Sequence, residues 1–275
     1  MWPSNNLIIH RADRLNAGDM ASSPKRYFDW LDSSWSELDI VNVQKYNLTN
    51  RHIILGGGGL FYDDFSPFLN HILKSSPASL TLWGIGRNRH GAYDDGLYPN
   101  PIATALIEKA DLVGLRDCRI ESDWVPCPSI HHPMFDNPKS GEGKLAFQHR
   151  ESRFAFEHPK DWHSVASQGV LEPLLQSIEN ADCVASSSYH GCLWATLFGC
   201  RVIGVDGFSQ KFHTGLPDSV LLTTSDELTN DSFDSVKRNE SFLSEGRKRS
   251  LEFSERVKKL VETESDNMIL KLRFL

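Results

Sequence analysis

The segment from Ser186 to Asp206 has the pattern of a strand end, a polar loop, an apolar helix, a tight turn and a second strand. The same alternation of short apolar runs with helical segments extends over most of the 275 residues. Strands joined through a single helix lie parallel in one sheet, and the helices cover both faces of that sheet. The sequence therefore predicts an α/β protein with mostly parallel sheets.

A change of composition interrupts this alternation at residues 133–143, where Pro, Asn, Lys, Ser and Gly predominate. Such segments are typical of linkers between domains. We therefore expect two Rossmann-like halves, an N-terminal domain at 1–138 and a C-terminal domain at 139–275. Charged residues with a helical apolar period at 240–263 predict a long C-terminal helix in the second domain.

Each predicted half repeats the order of strand and helix. In the first half we expect strands at 7–10, 38–43, 51–55, 79–84 and 111–115 and helices at 23–31, 61–73 and 101–110. In the second half we expect strands at 144–149, 182–185, 201–205 and 220–223 and helices at 172–180 and 190–198. A polar loop is expected at 86–99.

Composition excludes several classes of function. The net charge is -7, which argues against a broad nucleic-acid interface. The five cysteines are scattered and lack C-x-x-C spacing, as expected for reduced thiols rather than for a disulfide frame or a zinc site. No apolar run approaches the ~18 residues of a membrane span, and the polar start gives no secretory leader. We expect a soluble, cytoplasmic protein without a metal or cofactor.

The loops that follow the strands are the candidate sites, because open parallel sheets bind ligands beyond the carboxyl ends of their strands. His190 follows three serines and precedes Gly191 at a loop-to-helix junction. Unpaired backbone N–H groups of a helix N-terminus attract anions, and an imidazole there can transfer protons. A single histidine on a helix is more often structural, so both interpretations stand at this point.

Two glycine-bearing loops follow strands of the first half. Asn16, Gly18 and Asp19 either form a simple turn with a helix cap or present a carboxylate to a ligand. The run Gly56–Gly59 permits close approach of a ligand or of a neighbouring loop. It lacks the patterns of a dinucleotide fingerprint and of a P-loop, so neither type of nucleotide site is predicted.

Two cations lie in loops that follow strands. Arg116 comes at the carboxyl end of a strand, where its guanidinium suits a carboxylate or a phosphate. It could instead pair with Asp117, which is also a candidate helix cap, or with Glu121. Lys211 follows a strand of the second half, where it either lines the same cleft or lies in an ordinary solvated loop.

Taken in order, these loops resemble the polysaccharide pyruvyl transferase family. The matching segments are Asn16–Asp19, Gly56–Leu60, Trp83–Gly86, Leu115–Asp117 and Tyr189–Gly191, followed by Ala195, Gly199 and Val202–Ile203. Each motif is weak alone, and it is their order that carries the resemblance. The resemblance implies two domains of GT-B type and transfer of the enolpyruvyl unit of phosphoenolpyruvate to a sugar, forming a cyclic ketal.

The resemblance also suggests roles for residues of this chain. It implies His190 as general acid and Arg116 as a donor-binding cation, and we assign Asp19 as the base. The remaining donor-binding residues are predicted to be Ser187, Ser188, Gly191 and Lys211. The acceptor-binding residues are predicted to be Asn16, Gly18, Gly57, Gly58 and Arg87. An imidazolium at His190 would suit protonation of an enol ether.

One position departs from the family pattern. Ser188 stands where the family usually has arginine, two residues before the histidine. Loss of a charge-assisted hydrogen bond costs on the order of 1.5–3 kcal/mol. Another cation substitutes, or the donor differs, or the chain is inactive; candidate substitutes are Lys211, Arg87, Arg89 and Arg153. The alternatives to a transferase of this family are a GT-B glycosyltransferase that uses a nucleotide sugar and a non-catalytic protein that binds glycan or anion.

Overall fold

The computed structural model describes residues 5–89, 100–119, 124–139 and 141–273, with side chains up to residue 264. Glu121 and most of the predicted polar loop at 86–99 lie outside these residues. The described chain folds into two α/β halves, each built on a parallel sheet of five strands. The predicted fold of two Rossmann-like halves with a long C-terminal helix is confirmed.

The first sheet is formed by the N-terminal half. Its strands are β1 (Asn6–His10), β2 (Trp35–Asp39), β3 (His52–Phe61), β4 (Ser79–Arg87) and β5 (Leu112–Leu115). Their spatial order is β2-β1-β3-β4-β5, and all neighbours are parallel. The helices of this half are α1 (Ala17–Ala21), α2 (Ser66–Lys74) and α3 (Pro101–Lys109).

The second sheet repeats this arrangement. Its strands are β6 (Lys144–Gln148), β7 (His163–Ala166), β8 (Cys183–Ser186), β9 (Arg201–Val205) and β10 (Leu221–Thr223). They are all parallel and lie in the order β10-β9-β8-β6-β7. The helices are α4 (Leu171–Glu179), α5 (Tyr189–Leu197), α6 (Lys211–Thr214) and α7 (Phe242–Arg273). None of the helices in the described ranges combines the length and apolar character needed to cross a bilayer.

The last helix belongs to both halves. At its start, Phe242 packs against Trp124 in the core that α5 shares with the second sheet. Further along, Phe253 and Val257 are buried against the first sheet, beside Trp83 of β4. The helix assigned from the sequence to the second domain therefore covers one face of the first sheet, while α2 and α3 cover the other.

Several predicted elements differ from the structure. The helix predicted at 23–31 is wrong: only a 3₁₀ turn at Pro24–Arg26 forms, and the helical segment is α1, which precedes it. The Ser23 hydroxyl donates to the Glu37 carboxylate instead of capping a helix. The sequence also missed β7, because an exposed edge strand has no apolar pattern.

Strand β3 does not end at Leu55 but continues through the glycines to Phe61. Gly57 has a φ of +74°, and a Cβ built on it would lie 1.9 Å from the carbonyl oxygen of Ser22. We expect Gly57→Ala to lower the free energy of unfolding by about 3 kcal/mol, because backbone strain and a backbone clash combine.

Gly143 is the matched control for this substitution in a denaturant-unfolding experiment. Its φ is +86°, but a Cβ on it would meet nothing within 4 Å. Gly143→Ala carries only the conformational penalty, about 1 kcal/mol. Equal losses in the two variants would show that the contact with Ser22 is not what requires glycine at position 57.

Candidate active site

A cleft of about 320 Å³ lies between the two sheets, where the loops after their strands meet. Two contacts hold the halves together beside it. Asn16 and Gln168 form an isolated antiparallel backbone bridge, and Arg150 Nη1 donates to Asp13 Oδ2 over 2.9 Å. The carboxyl ends of strands from both halves therefore face one shared space, as the fold class predicts.

Six of the predicted site residues line this cleft. They are Asn16, Asp19, Arg116, Ser188, His190 and Lys211. Three come from the first half and three from the second. The sequence predicts that residues of these separate motifs meet in one place, and these six do.

Arg116 is the most unusual side chain of the cleft. It is 2% exposed, and its Nε and Nη1 have no hydrogen-bond partner among the described residues. Its guanidinium carbon lies 4.3 Å from the centre of the Tyr189 ring, a cation–π contact. Burial of an unpaired charge is costly, so this guanidinium is a candidate anion-binding group.

Two glycines make room for Arg116. A Cβ on Gly86 would lie 2.5 Å from the guanidinium Nε, and a Cβ on Gly59 would lie 3.1 Å from Nη2. The first of these contacts is closer than real Cβ atoms allow. The glycines of the segments Gly56–Leu60 and Trp83–Gly86 therefore leave the space that the side chain of Arg116 occupies. The alternative in which Arg116 pairs with Asp117 is wrong, because that carboxylate is taken by Arg87 and Thr214.

His190 lies in the first turn of α5 and packs against the first half. A Cβ on Gly18 would lie 2.1 Å from its Nδ1, so α1 approaches the imidazole closely. On its other side, Nε2 lies 3.8 Å from Cys127 Sγ. Burial, followed by the charges of Arg116 and Lys211, lowers the pKa of His190 well below its usual value. The imidazole is therefore neutral at pH 7 in the free cleft, whereas the sequence-based chemistry assumed an imidazolium.

Asp19 and Lys211 approach the cleft from opposite halves. Burial raises the pKa of Asp19 to about 6, partly offset by the charge of Lys211. Burial, together with the charge of Arg116, lowers the pKa of Lys211 to about 7. Both groups therefore change charge close to neutral pH, which is typical of groups that bind or transfer charge in a functional cleft.

Asn16 organises the turn that holds Asp19. Its Oδ1 accepts from the backbone N–H groups of Gly18 and Asp19, which makes it the N-cap of α1. Its Nδ2 donates to Asp19 Oδ2 over 2.9 Å. The simple-turn and ligand-binding interpretations are both partly correct, because the cap also orients a carboxylate in the cleft.

The other six predicted site residues do not line the cleft. The buried Ser187 Oγ accepts from the backbone N–H of His149, and Gly191 is held tightly against Phe147 and Ser186. Arg87 pairs with the buried Asp117 at 3.1 Å and lines a separate pocket. Gly18 and Gly57 pack closely against His190 and Ser22, whereas Gly58 has a φ of +82° and a Cβ on it would make only ordinary van der Waals contacts with Ser22 and Asp19.

The sequence missed part of the cleft wall. Phe154 and Phe208 stack with their ring centres 3.8 Å apart, and the His149 ring meets both edge-on. Burial and the charge of Lys211 lower the pKa of His149 to about 4, so it is neutral. Asp13 and Arg150 are 137 positions apart, and no local pattern links them.

The positions of the candidate cations indicate which of them could substitute for the arginine that the family usually has at the position of Ser188. Of the four candidate substitutes, Lys211 and Arg153 line the cleft. Arg153 is largely exposed and pairs with Glu151 at 2.8 Å. Arg87 and Arg89 line the separate pocket. Of the four candidates, Lys211 is thus the one whose buried charge in the cleft could replace that of the family arginine.

The fold and the cleft define an α/β protein of two Rossmann-like halves, with a cleft between them that is lined by both cations and carboxylates. Within the described ranges, no group of three or more His, Cys, Asp or Glu side chains is arranged to hold a metal ion.

No protein-family model matches the chain, and no curated protein matches it in sequence. It is similar in fold to a functionally uncharacterized protein from Klebsiella pneumoniae subsp. pneumoniae NTUH-K2044, known from a crystal structure. The TM-score is 0.39 with 12% identity, and the match covers 73% of this chain and 83% of that one. The resemblance to the pyruvyl transferases stays a prediction.

Proposed function

We propose that the protein transfers the pyruvyl unit of phosphoenolpyruvate to a sugar of a cell-surface glycan or of its precursor, forming a pyruvate ketal. The observation that carries this proposal is the cleft shared by the imidazole of His190 and the guanidinium of Arg116, two of whose nitrogens have no hydrogen-bond partner within the described ranges. The choice of phosphoenolpyruvate as donor comes from the resemblance of the ordered sequence motifs to the pyruvyl transferase family.

Phosphoenolpyruvate suits the charges of the cleft. Its carboxylate and phosphate would bind Nε and Nη1 of Arg116, which have no partner in the described part of the chain, and the ammonium of Lys211. The N-terminal N–H groups of the nine-residue helix α5 lie at the same place. Lys211 supplies the charge that Ser188 lacks.

Ketal formation joins C2 of the donor to two hydroxyl oxygens of the acceptor and breaks its bond to the phosphate oxygen. The methylene carbon gains one proton and becomes a methyl group, and the second hydroxyl proton leaves with phosphate. We assign protonation of the methylene carbon to His190. Because the donor is an anion, its binding opposes the charges of Arg116 and Lys211 and raises the pKa of the imidazole.

Asp19 is assigned as the base for the acceptor hydroxyl. With its pKa raised to about 6, its carboxylate is ionised at pH 7 and is a stronger base than an exposed aspartate. Asn16 fixes its position through the hydrogen bond at 2.9 Å.

The test is phosphate release from phosphoenolpyruvate that depends on an added sugar acceptor. A panel of free, nucleotide-linked and lipid-linked sugars is used, because the acceptor is not known. Stabilisation by nucleoside diphosphates in a thermal-shift screen, without phosphate release, would favour the nucleotide-sugar transferase. Binding of phosphoenolpyruvate without turnover on any acceptor would favour the non-catalytic anion-binding protein.

The affinity of the cleft for anions is expected to fall as pH rises above 7. A bound anion raises the pKa of Lys211 from about 7, so binding takes up a proton in that range. Each unit by which the bound anion raises the pKa of Lys211 lowers the affinity at high pH about tenfold relative to that at low pH. We expect an increase of about one unit and therefore a decrease in affinity of about tenfold. Protonation of Asp19 near pH 6 acts in the same direction, since it removes a negative charge.

Sulfate measured by titration calorimetry is a suitable probe, because its charge is constant over this range. Lys211→Met should remove the decrease above pH 7 and weaken binding below it. Lys45→Met is the control, since this exposed lysine contacts Asn42 and does not line the cleft. A pH dependence that persists in Lys211→Met would contradict the role of Lys211.

A further inference from the structure

A row of hydrogen-bonding side chains leads from the interior of the second half to His190. The Trp194 indole Nε1 donates to Ser129 Oγ over 3.2 Å, and Ser129 Oγ donates to Cys127 Sγ over 3.4 Å. Cys127 Sγ then lies 3.8 Å from His190 Nε2. Ser129 and Cys127 are each 1% exposed, so water does not compete for these contacts.

The direction of this chain follows from its first member. An indole N–H can only donate, so the Ser129 oxygen accepts and its single hydroxyl proton points to Cys127. The sulfur accepts that proton, and its own S–H is free to donate to His190 Nε2. The two inner members, Ser129 and Cys127, each accept once and donate once, and such chains of hydrogen bonds reinforce one another.

We infer that Cys127 is a positioning residue that holds His190 in the tautomer with its proton on Nδ1. Nε2, which accepts from the thiol, is turned to the buried side. Nδ1 lies on the side of α1, next to Gly18, whose neighbours Asn16 and Asp19 line the cleft. A hydrogen bond to one ring nitrogen of a histidine commonly fixes the tautomer in this way.

The role that this gives to His190 rests on the proposed function. If His190 is the acid, it acts as the imidazolium that forms on donor binding, with a proton on each ring nitrogen. Nδ1, on the side of Asn16 and Asp19, gives up the transferred proton, while Cys127 Sγ changes from donor to acceptor toward Nε2–H and keeps Nδ1 turned to the cleft. The tautomer itself does not depend on the reaction. It can therefore be tested in protein that shows no turnover.

The test is ¹⁵N NMR of the protein with labelled histidine at pH 7.5, in the wild type and in three variants. We expect the wild type to show protonated Nδ1 and unprotonated Nε2 at His190. Cys127→Ala should move the proton to Nε2 or give a mixture, because the donor is lost. Cys127→Ser keeps a donor of similar size and should retain the wild-type tautomer.

Cys200→Ala is the matched control, because this buried thiol bonds to the carbonyls of Ile178 and Ala181 instead. Its His190 signals should equal those of the wild type. A wild-type signal with the proton on Nε2, or a Cys127→Ala spectrum unchanged from the wild type, would overturn the inference. Near-ultraviolet circular dichroism checks that each variant is folded.

Turnover gives the second readout. Cys127→Ala should lower kcat about tenfold with little change in KM, and Cys127→Ser should recover most of the loss. Equal loss in both variants would count against the positioning role. If the tautomer behaves as expected but no acceptor supports phosphate release in the wild type, the proposed function fails and the inference about Cys127 stands.

Discussion

Replacement of Arg116 by methionine is expected to raise the free energy of unfolding by about 1–3 kcal/mol while it abolishes function. The guanidinium is buried, and two of its nitrogens have no partner among the described residues. A flexible apolar side chain of similar volume removes the uncompensated charge. Denaturant unfolding in water measures this gain.

The same variant should lose about 10³-fold or more in kcat/KM, equivalent to about 4 kcal/mol of transition-state binding. Sulfate affinity should fall in parallel, because Arg116 is a buried cation of the cleft whose Nε and Nη1 have no hydrogen-bond partner among the described residues. A loss of activity together with a gain in stability separates a functional role from a structural one. A destabilised Arg116→Met variant would mean that the arginine is a structural partner instead.

The control for Arg116 is Arg249→Met in helix α7. Arg249 is near the surface, pairs with Glu245 at 3.0 Å and does not line the cleft. Exposed pairs of this type contribute about 0.3–0.5 kcal/mol. We expect a small loss of stability and unchanged turnover, the opposite of the pattern at position 116.

Substitution of His190 by glutamine is expected to lower kcat by about 10²–10⁴-fold, the usual contribution of a general acid or base. Glutamine keeps a polar side chain of similar length but cannot transfer the proton at neutral pH. Sulfate should bind at least as well as in the wild type, because neutral His190 adds no charge to the free cleft.

Measurement of phosphate release together with sulfate titration separates these two effects. His163→Gln is the control, since His163 lies on the exposed edge strand β7. Wild-type turnover in His190→Gln would contradict the assignment of the acid. Loss of sulfate binding in the same variant would instead indicate that the α5 N-terminus had been disturbed.

The parts of this structure that follow from the order of strands and helices along the chain were predictable. Alternating strands and helices give parallel sheets, and parallel sheets place the loops after their strands at one edge. This reasoning brought Arg116, His190, Asp19 and Lys211 to one place, and the structure has all four in one cleft.

Features that depend on packing between distant segments were not predictable. Nothing local in the sequence indicates that Gly86 is required by the side chain of Arg116, or that Arg87 is engaged by Asp117. The neutral state of His190 arises from burial and from two cations of other loops, so it needs the assembled cleft. The polar edge strand β7 likewise takes its form from its pairing with β6.

Helix α7 has a consequence for the order of events during synthesis. The residues that complete the first sheet, Phe253 and Val257, leave the ribosome more than 100 residues after that sheet's last strand, β5. Until then only Phe28, Trp30 and their neighbours pack against Trp83, and the part of this face that α7 buries is exposed to water. We therefore expect the first half to reach its final packing only after α7 has been synthesised, so that the two halves complete their folding together.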